Sequence, residues 1–79
     1  GQFYPNPAEN EANMVVDLAA GENYIVSIID QSGRTVHTST LQAAGKIVYT
    51  VNTSRLASGI YTVVFDNDNQ RIARKMIVK

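Results

Sequence analysis

Apolar side chains recur at every second position through most of this chain. Met14, Val16 and Leu18 alternate with Val15 and Asp17 in "NMVVDL". The same beat places Tyr24, Val26 and Ile28 together in "NYIVSIID", and Ile47, Tyr49 and Val51 together in "KIVYTV". It continues with Tyr61, Val63 and Phe65 in "IYTVVFD", then with Ile72, Met76 and Val78 in "RIARKMIVK". Successive side chains of a strand point to opposite faces, so this spacing describes strands with one buried face. A helix needs a repeat of about 3.6 residues, and no window sustains one. Ala8–Met14 holds helix formers without that spacing.

Turn chemistry separates the runs. "AAGEN" breaks the chain around Gly21, and "LQAAG" closes the β-branched run "RTVHTST" at Gly45. "DQSG" reads as a turn, because Asp30 can accept from its own backbone two residues on and Gly33 supplies positive φ. "NTSRLASG" is irregular, with Leu56 as its buried plug and Gly59 as a second positive-φ residue. "NDNQ" makes a tight hairpin between the last two runs. A chain of 79 residues is one domain, 44% hydrophobic and 18% charged. At this size only roughly 60% of the unfolded surface is buried, so the core is a single thin layer. About six or seven short strands with turns every 8–12 residues or so predict an all-β fold, an immunoglobulin-like antiparallel β-sandwich. Tyr61, Val63 and Phe65 are expected to meet Val16, Val26 and Ile28 in its core.

The chain opens differently. "YPNP" spans Tyr4 to Pro7. A residue before proline is pushed toward extended geometry, and proline donates no ladder hydrogen bond. Gln2–Tyr4 can then be at most a short edge strand, with Asn6-Pro7 a turn. Residues 1–12 read as a lead-in and residues 13–79 as the sandwich. Gly1 in place of methionine, with no apolar export signal, suggests a piece of a longer protein.

Little in the sequence speaks for catalysis or cofactors. There is no cysteine, hence no disulfide, which leaves the compartment open. The one histidine, His37, sits among Thr35 and Ser39 on a strand and reads as solvent-facing; alone it makes a zinc site improbable. No serine lies in a G-x-S-x-G elbow, and no glycine loop suits a phosphate. Asp66, Asp68 and Gln70 imitate the start of a calcium loop. Arg71 and Ile77 stand where that loop needs glycine and glutamate, so a hairpin turn is the better reading. Glu9 and Glu11 read as a solvated pair. No apolar run approaches the ~20 residues that span a bilayer, so membrane insertion is not expected. Net charge is zero, yet residues 71–79 carry Arg71, Arg74, Lys75 and Lys79 and no acid. Such a tail can steer an acidic partner, or keep an exposed strand from aggregating. It holds no aromatic residue, which speaks against nucleic acid.

Four pieces in order resemble one family: "YPNP" at the start, "IIDQSGRTV", "RLASGIYTVVF", and "RKMIVK" at the close. Together they resemble the C-terminal sorting domain of cargo proteins of the type IX secretion system of Bacteroidota, over Phe3 to Lys79. Pro5, Asn6 and Pro7 match its start motif. Asp30, Gly33, Arg34 and Val36 match its turn. Leu56, Gly59 and Tyr61 match the next strand entry, and Lys75, Ile77, Val78 and Lys79 match the end. The resemblance implies an immunoglobulin-like sandwich that is not an enzyme and carries no cofactor. It is attached to an N-terminal cargo domain and takes that cargo from the periplasm across the outer membrane to the cell surface or beyond. The implied partners are the type IX machinery and a sortase-like surface peptidase that usually removes the domain and anchors the cargo. The glycines, Asp30, Leu56 and Tyr61 are expected to be structural, and the basic terminal run Lys75, Met76, Ile77, Val78 and Lys79 to be read by the partner.

The competing reading is a fibronectin- or immunoglobulin-like module that binds carbohydrate or protein. A sugar site wants exposed aromatic rings. Tyr24, Tyr49, Tyr61 and Phe65 fall on expected core faces, which leaves only Phe3 and Tyr4.

Overall fold

A computed structural model describes residues 1–79, the whole chain. Six strands follow in order: β1 Glu11–Asp17, β2 Asn23–Ile29, β3 Thr35–Gln42, β4 Lys46–Asn52, β5 Gly59–Asp66 and β6 Arg71–Val78. Every pairing is antiparallel, and no helix forms. β1 and β4 make a small sheet, while β3-β2-β5-β6 make a larger one in that order. The expected immunoglobulin-like sandwich is thus realised with six strands.

Alternation decides which residues meet between the sheets. Met14, Val16 and Val51 of the small sheet join Tyr24, Val26, Ile28, Tyr61, Val63, Phe65, Met76 and Val78 of the large one in a single core. All six side chains expected there are buried. Tyr49 crosses the gap to meet Phe65 edge-on, with ring centroids 5.0 Å apart and planes at 83°; such pairs add about 0.5–1.5 kcal/mol beyond the area they bury. Leu56 is half-buried against this core.

Two strands cannot cover four. β3 therefore lies beyond the reach of the small sheet, and Thr35–Thr38 are exposed on it. His37 pairs with Ile28 in register, so it shares the inner face, but nothing lies over it. The pairing steps from Ile28–His37 to Ile29–Thr35, leaving Val36 as a bulge. An open groove of about 370 Å³ runs here between β3 and β4, lined in part by Val36, His37, Tyr49, Arg55 and Leu56.

The opposite side is closed by the lead-in. Tyr4 exchanges two 2.8 Å backbone bonds with Asn13 on the edge of β1. Four residues later Ala8 bridges to β6 in parallel, its N–H on the Ile77 carbonyl and its carbonyl on the Lys79 N–H, both at 2.8 Å. One segment thereby ties the edge of the small sheet to the edge of the large one. Phe3 and Ala8 are buried in the core. This corrects the expectation that Phe3 is one of the exposed aromatics. Proline-broken sequence hides its burial, since the chain around it keeps no regular period. Both X–Pro bonds of the segment are cis, and β1 begins at Glu11.

The two internal family motifs are explained locally. Asp30 Oδ1 accepts from the Ser32 N–H (3.0 Å), the Ser32 hydroxyl (2.7 Å) and the Arg34 N–H (3.0 Å). Gly33 turns the chain at φ +89°, where a Cβ would clash with its own backbone. At the other motif the Tyr61 hydroxyl donates to the Ala57 carbonyl at 2.6 Å. A tyrosine near the start of a strand that bonds backbone a few residues upstream is the tyrosine corner of immunoglobulin-like folds. Gly59, at φ +157°, lets the loop enter β5 within that corner.

The Asp30 turn makes acid sensitivity testable. The Ser32 hydroxyl bond first, then the Arg34 N–H, hold its carboxyl below the usual carboxylate range. A carboxyl whose pKa is lowered by folding stabilises the fold at pH above its unfolded value; that contribution disappears as pH falls through the folded value. Asp30→Asn should accordingly melt lower than the parent at neutral pH, with the gap closing in acid below the carboxylate range. Thermal melts followed by circular dichroism at both pH values check this; an unchanged gap would mean that the charge of Asp30 contributes nothing.

Candidate recognition surface

β6 is the outer strand of the large sheet. Its ladder with β5 runs from Gly59–Val78 to Asp66–Arg71, so the terminal run does lie at a sheet edge. Its five residues are not equivalent. Met76 and Val78 are 1% and 3% exposed, which puts their side chains out of a partner's reach. Ile77 is half-buried, and its carbonyl is taken by Ala8. Lys79 gives its N–H to Ala8 and its Nζ to Glu9 Oε1 at 3.2 Å. Of the five, Lys75 alone combines an exposed side chain with a backbone free of the lead-in.

The start motif lies against this strand. Between Gly1 and Ala8 the lead-in bows away from β6 and leaves a cleft of about 340 Å³. Gln2, Phe3, Pro5 and Asn6 line one wall, and Arg74, Lys75 and Ile77 line the other. Folding thus joins the first and last motifs of the chain, Pro5-Asn6 with Lys75-Ile77, in one surface. Pro7 is exposed between the cleft and Ala8. Asp30, Gly33, Arg34, Val36, Leu56, Gly59 and Tyr61 line no part of it.

Arg74 belongs to the basic tail but not to the run expected to be read, and it lines the cleft. It shares the face of Ile72 and Met76, yet it is exposed at the sandwich rim. Its Nε donates to the Gly1 carbonyl at 3.2 Å and its Nη1 to the Ala73 carbonyl at 2.9 Å. The signal was a charged residue at an inward position of an edge strand, a known guard against edge-to-edge association.

The elements that resembled a calcium loop form a turn, in which Asn67 Oδ1 accepts from the N–H groups of Asn69 and Gln70. Among the aromatic side chains only Tyr4 is exposed, at 49%. The sandwich is small, its polar turns are engaged in its own fold, and one basic edge lies beside a docked lead-in. The profile of the secretion system C-terminal sorting domain matches residues 2–79, and the chain belongs to that family. No curated protein and no solved structure matches it. It is the C-terminal sorting signal of type IX secretion, the system of Bacteroidota, carried as a tail on cargo and recognised by that machinery, which delivers cargo to the cell surface or the extracellular space. The family is not one of enzymes, and the carbohydrate- or protein-binding alternative finds no support.

Proposed function

We propose that the machinery reads the terminal strand, Lys75–Lys79, on a non-catalytic sandwich whose work is to hold that strand at an edge. The observation that carries this reading is the position of β6: outermost in its sheet and rich in cations. Edge strands offer backbone groups that a partner extends, and cations raise the rate of encounter with an acidic surface. Residues 1–12 serve as the junction to an N-terminal cargo and residues 13–79 as the signal proper, with Phe3 and Ala8 docking the junction onto the core. The cargo passes through the periplasm before crossing the outer membrane. A sortase-like surface peptidase then removes the domain and anchors the cargo.

Deleting Lys75–Lys79 is a poor test, because it strips Met76 and Val78 from the core. The milder double change Lys75→Glu, Lys79→Glu touches only exposed side chains. Behind a periplasmic reporter in a type IX-competent bacterium, this variant should stay folded by circular dichroism while its reporter stays in the periplasm. A folded double variant exported like the parent would place recognition elsewhere.

A further inference from the structure

Within that reading, on which this inference rests, we propose that the cleft between the lead-in and β6 receives a short, acidic, extended segment of the machinery, added as a strand to Ala73–Lys75. Parity fixes which backbone groups are on offer. The Ile77 carbonyl and the Lys79 N–H face the lead-in, and a residue's two backbone groups share one side of an antiparallel strand. Ala73 and Lys75 therefore also point outward. Ala8 has taken the edge from Ile77 onward. The Arg74 guanidinium holds the Ala73 carbonyl. No lead-in backbone reaches the Lys75 N–H and carbonyl, which open into the cleft. The docked lead-in thus sets a stop, and a partner strand ends where Ala8 begins.

Charge selects the occupant. Arg71 and Lys79, at the two ends of β6, are each paired with a carboxylate, Asp66 at 3.4 Å and Glu9 at 3.2 Å. Arg74 and Lys75, between them, have no carboxylate partner. They face a wall of Gln2, Phe3, Pro5 and Asn6 that contains no acid. In a chain of zero net charge, two cations concentrated at an open strand edge favour an acidic segment with carboxylates on both of its faces, because Arg74 and Lys75 are successive residues and point to opposite faces of β6. Carboxylates on its inner face would meet Arg74 and those on its outer face Lys75, while apolar neighbours on the same two faces would meet Phe3 and Ile77.

Three single variants separate the parts of this surface. Ala73→Pro removes an outward N–H, which an edge strand tolerates, and blocks strand addition. Lys75→Glu reverses the unpaired charge. Lys46→Glu reverses an exposed cation on β4 that lines no part of the cleft. The purified chain, labelled with ¹⁵N, is titrated with a ten-residue probe in which pairs of Glu alternate with pairs of Val, so that both faces of the added strand carry carboxylates. Amide shifts should concentrate at Ala73, Lys75 and Gln2–Asn6, and affinity should fall about tenfold or more in Ala73→Pro and Lys75→Glu but not in Lys46→Glu. Reporter export should follow the same order. Shifts elsewhere, or equal affinity and export for Ala73→Pro and the parent, overturn the proposal. So does binding to anionic lipid vesicles that depends on Lys75, tracks export and ignores Ala73→Pro, since the cleft would then hold a headgroup. If the parent reporter itself stays in the periplasm while the probe binds as described, the sorting reading fails and the strand-docking chemistry stands.

Discussion

Tyr61→Ala should cost the domain on the order of 3–5 kcal/mol, the range for removing a large buried aromatic side chain. Tyr61 is 7% exposed, in the core between the two sheets. Its hydroxyl also closes the corner by donating to the Ala57 carbonyl. Both contributions vanish together, and the loss is a large share of a typical stability of about 5–15 kcal/mol. Tyr61→Phe separates them: it keeps the ring and removes only the hydrogen bond, so it should cost about 1–2 kcal/mol. Urea unfolding of the three proteins measures both steps. An alanine variant within about 1 kcal/mol of the parent would mean that the corner does not hold β5 against the core.

The corner also shows how motif and fold are related. "LASGIY" was legible as a loop followed by a strand, and Tyr61 as an inward residue, because alternation continues unbroken through Phe65. Four further strands were readable for the same reason, and β3 from its β-branched residues. What alternation could not show is what each face meets. β3 has inward positions, but His37 and Ser39 lie where a two-stranded sheet does not reach, so much of that strand is exposed. The lead-in was unreadable for a different reason. Phe3 and Ala8 are core residues flanking two prolines, and no period links them. Their burial follows from backbone pairing to Asn13 and Ile77, partners that local sequence does not reveal. The same long-range pairing leaves one free position in the terminal run, Lys75, beside a cleft that the start motif helps to build.

That the two ends of the domain meet has a consequence for presentation. A sorting signal on varied cargo has to show the same surface whatever precedes it. Here the lead-in is held by backbone bonds at Tyr4 and Ala8, by Arg74 at Gly1 and by Glu9 at Lys79. The exposed Glu9–Lys79 pair adds little energy, as surface ion pairs do. Buried Phe3 and Ala8 and the backbone bonds do most of the holding.

Export itself is the most direct measurement. Residues 1–79 are placed behind a reporter that carries its own periplasmic export signal, in a type IX-competent bacterium and in a strain lacking the translocation machinery. Reporter reached by protease added to intact cells is compared with reporter released from the periplasm. The fold and the family predict surface delivery in the competent strain and periplasmic retention in the deficient one. A reporter kept in the periplasm of both strains although the domain is folded, or exposed equally on both, would contradict the conclusion that this sandwich is a type IX sorting signal.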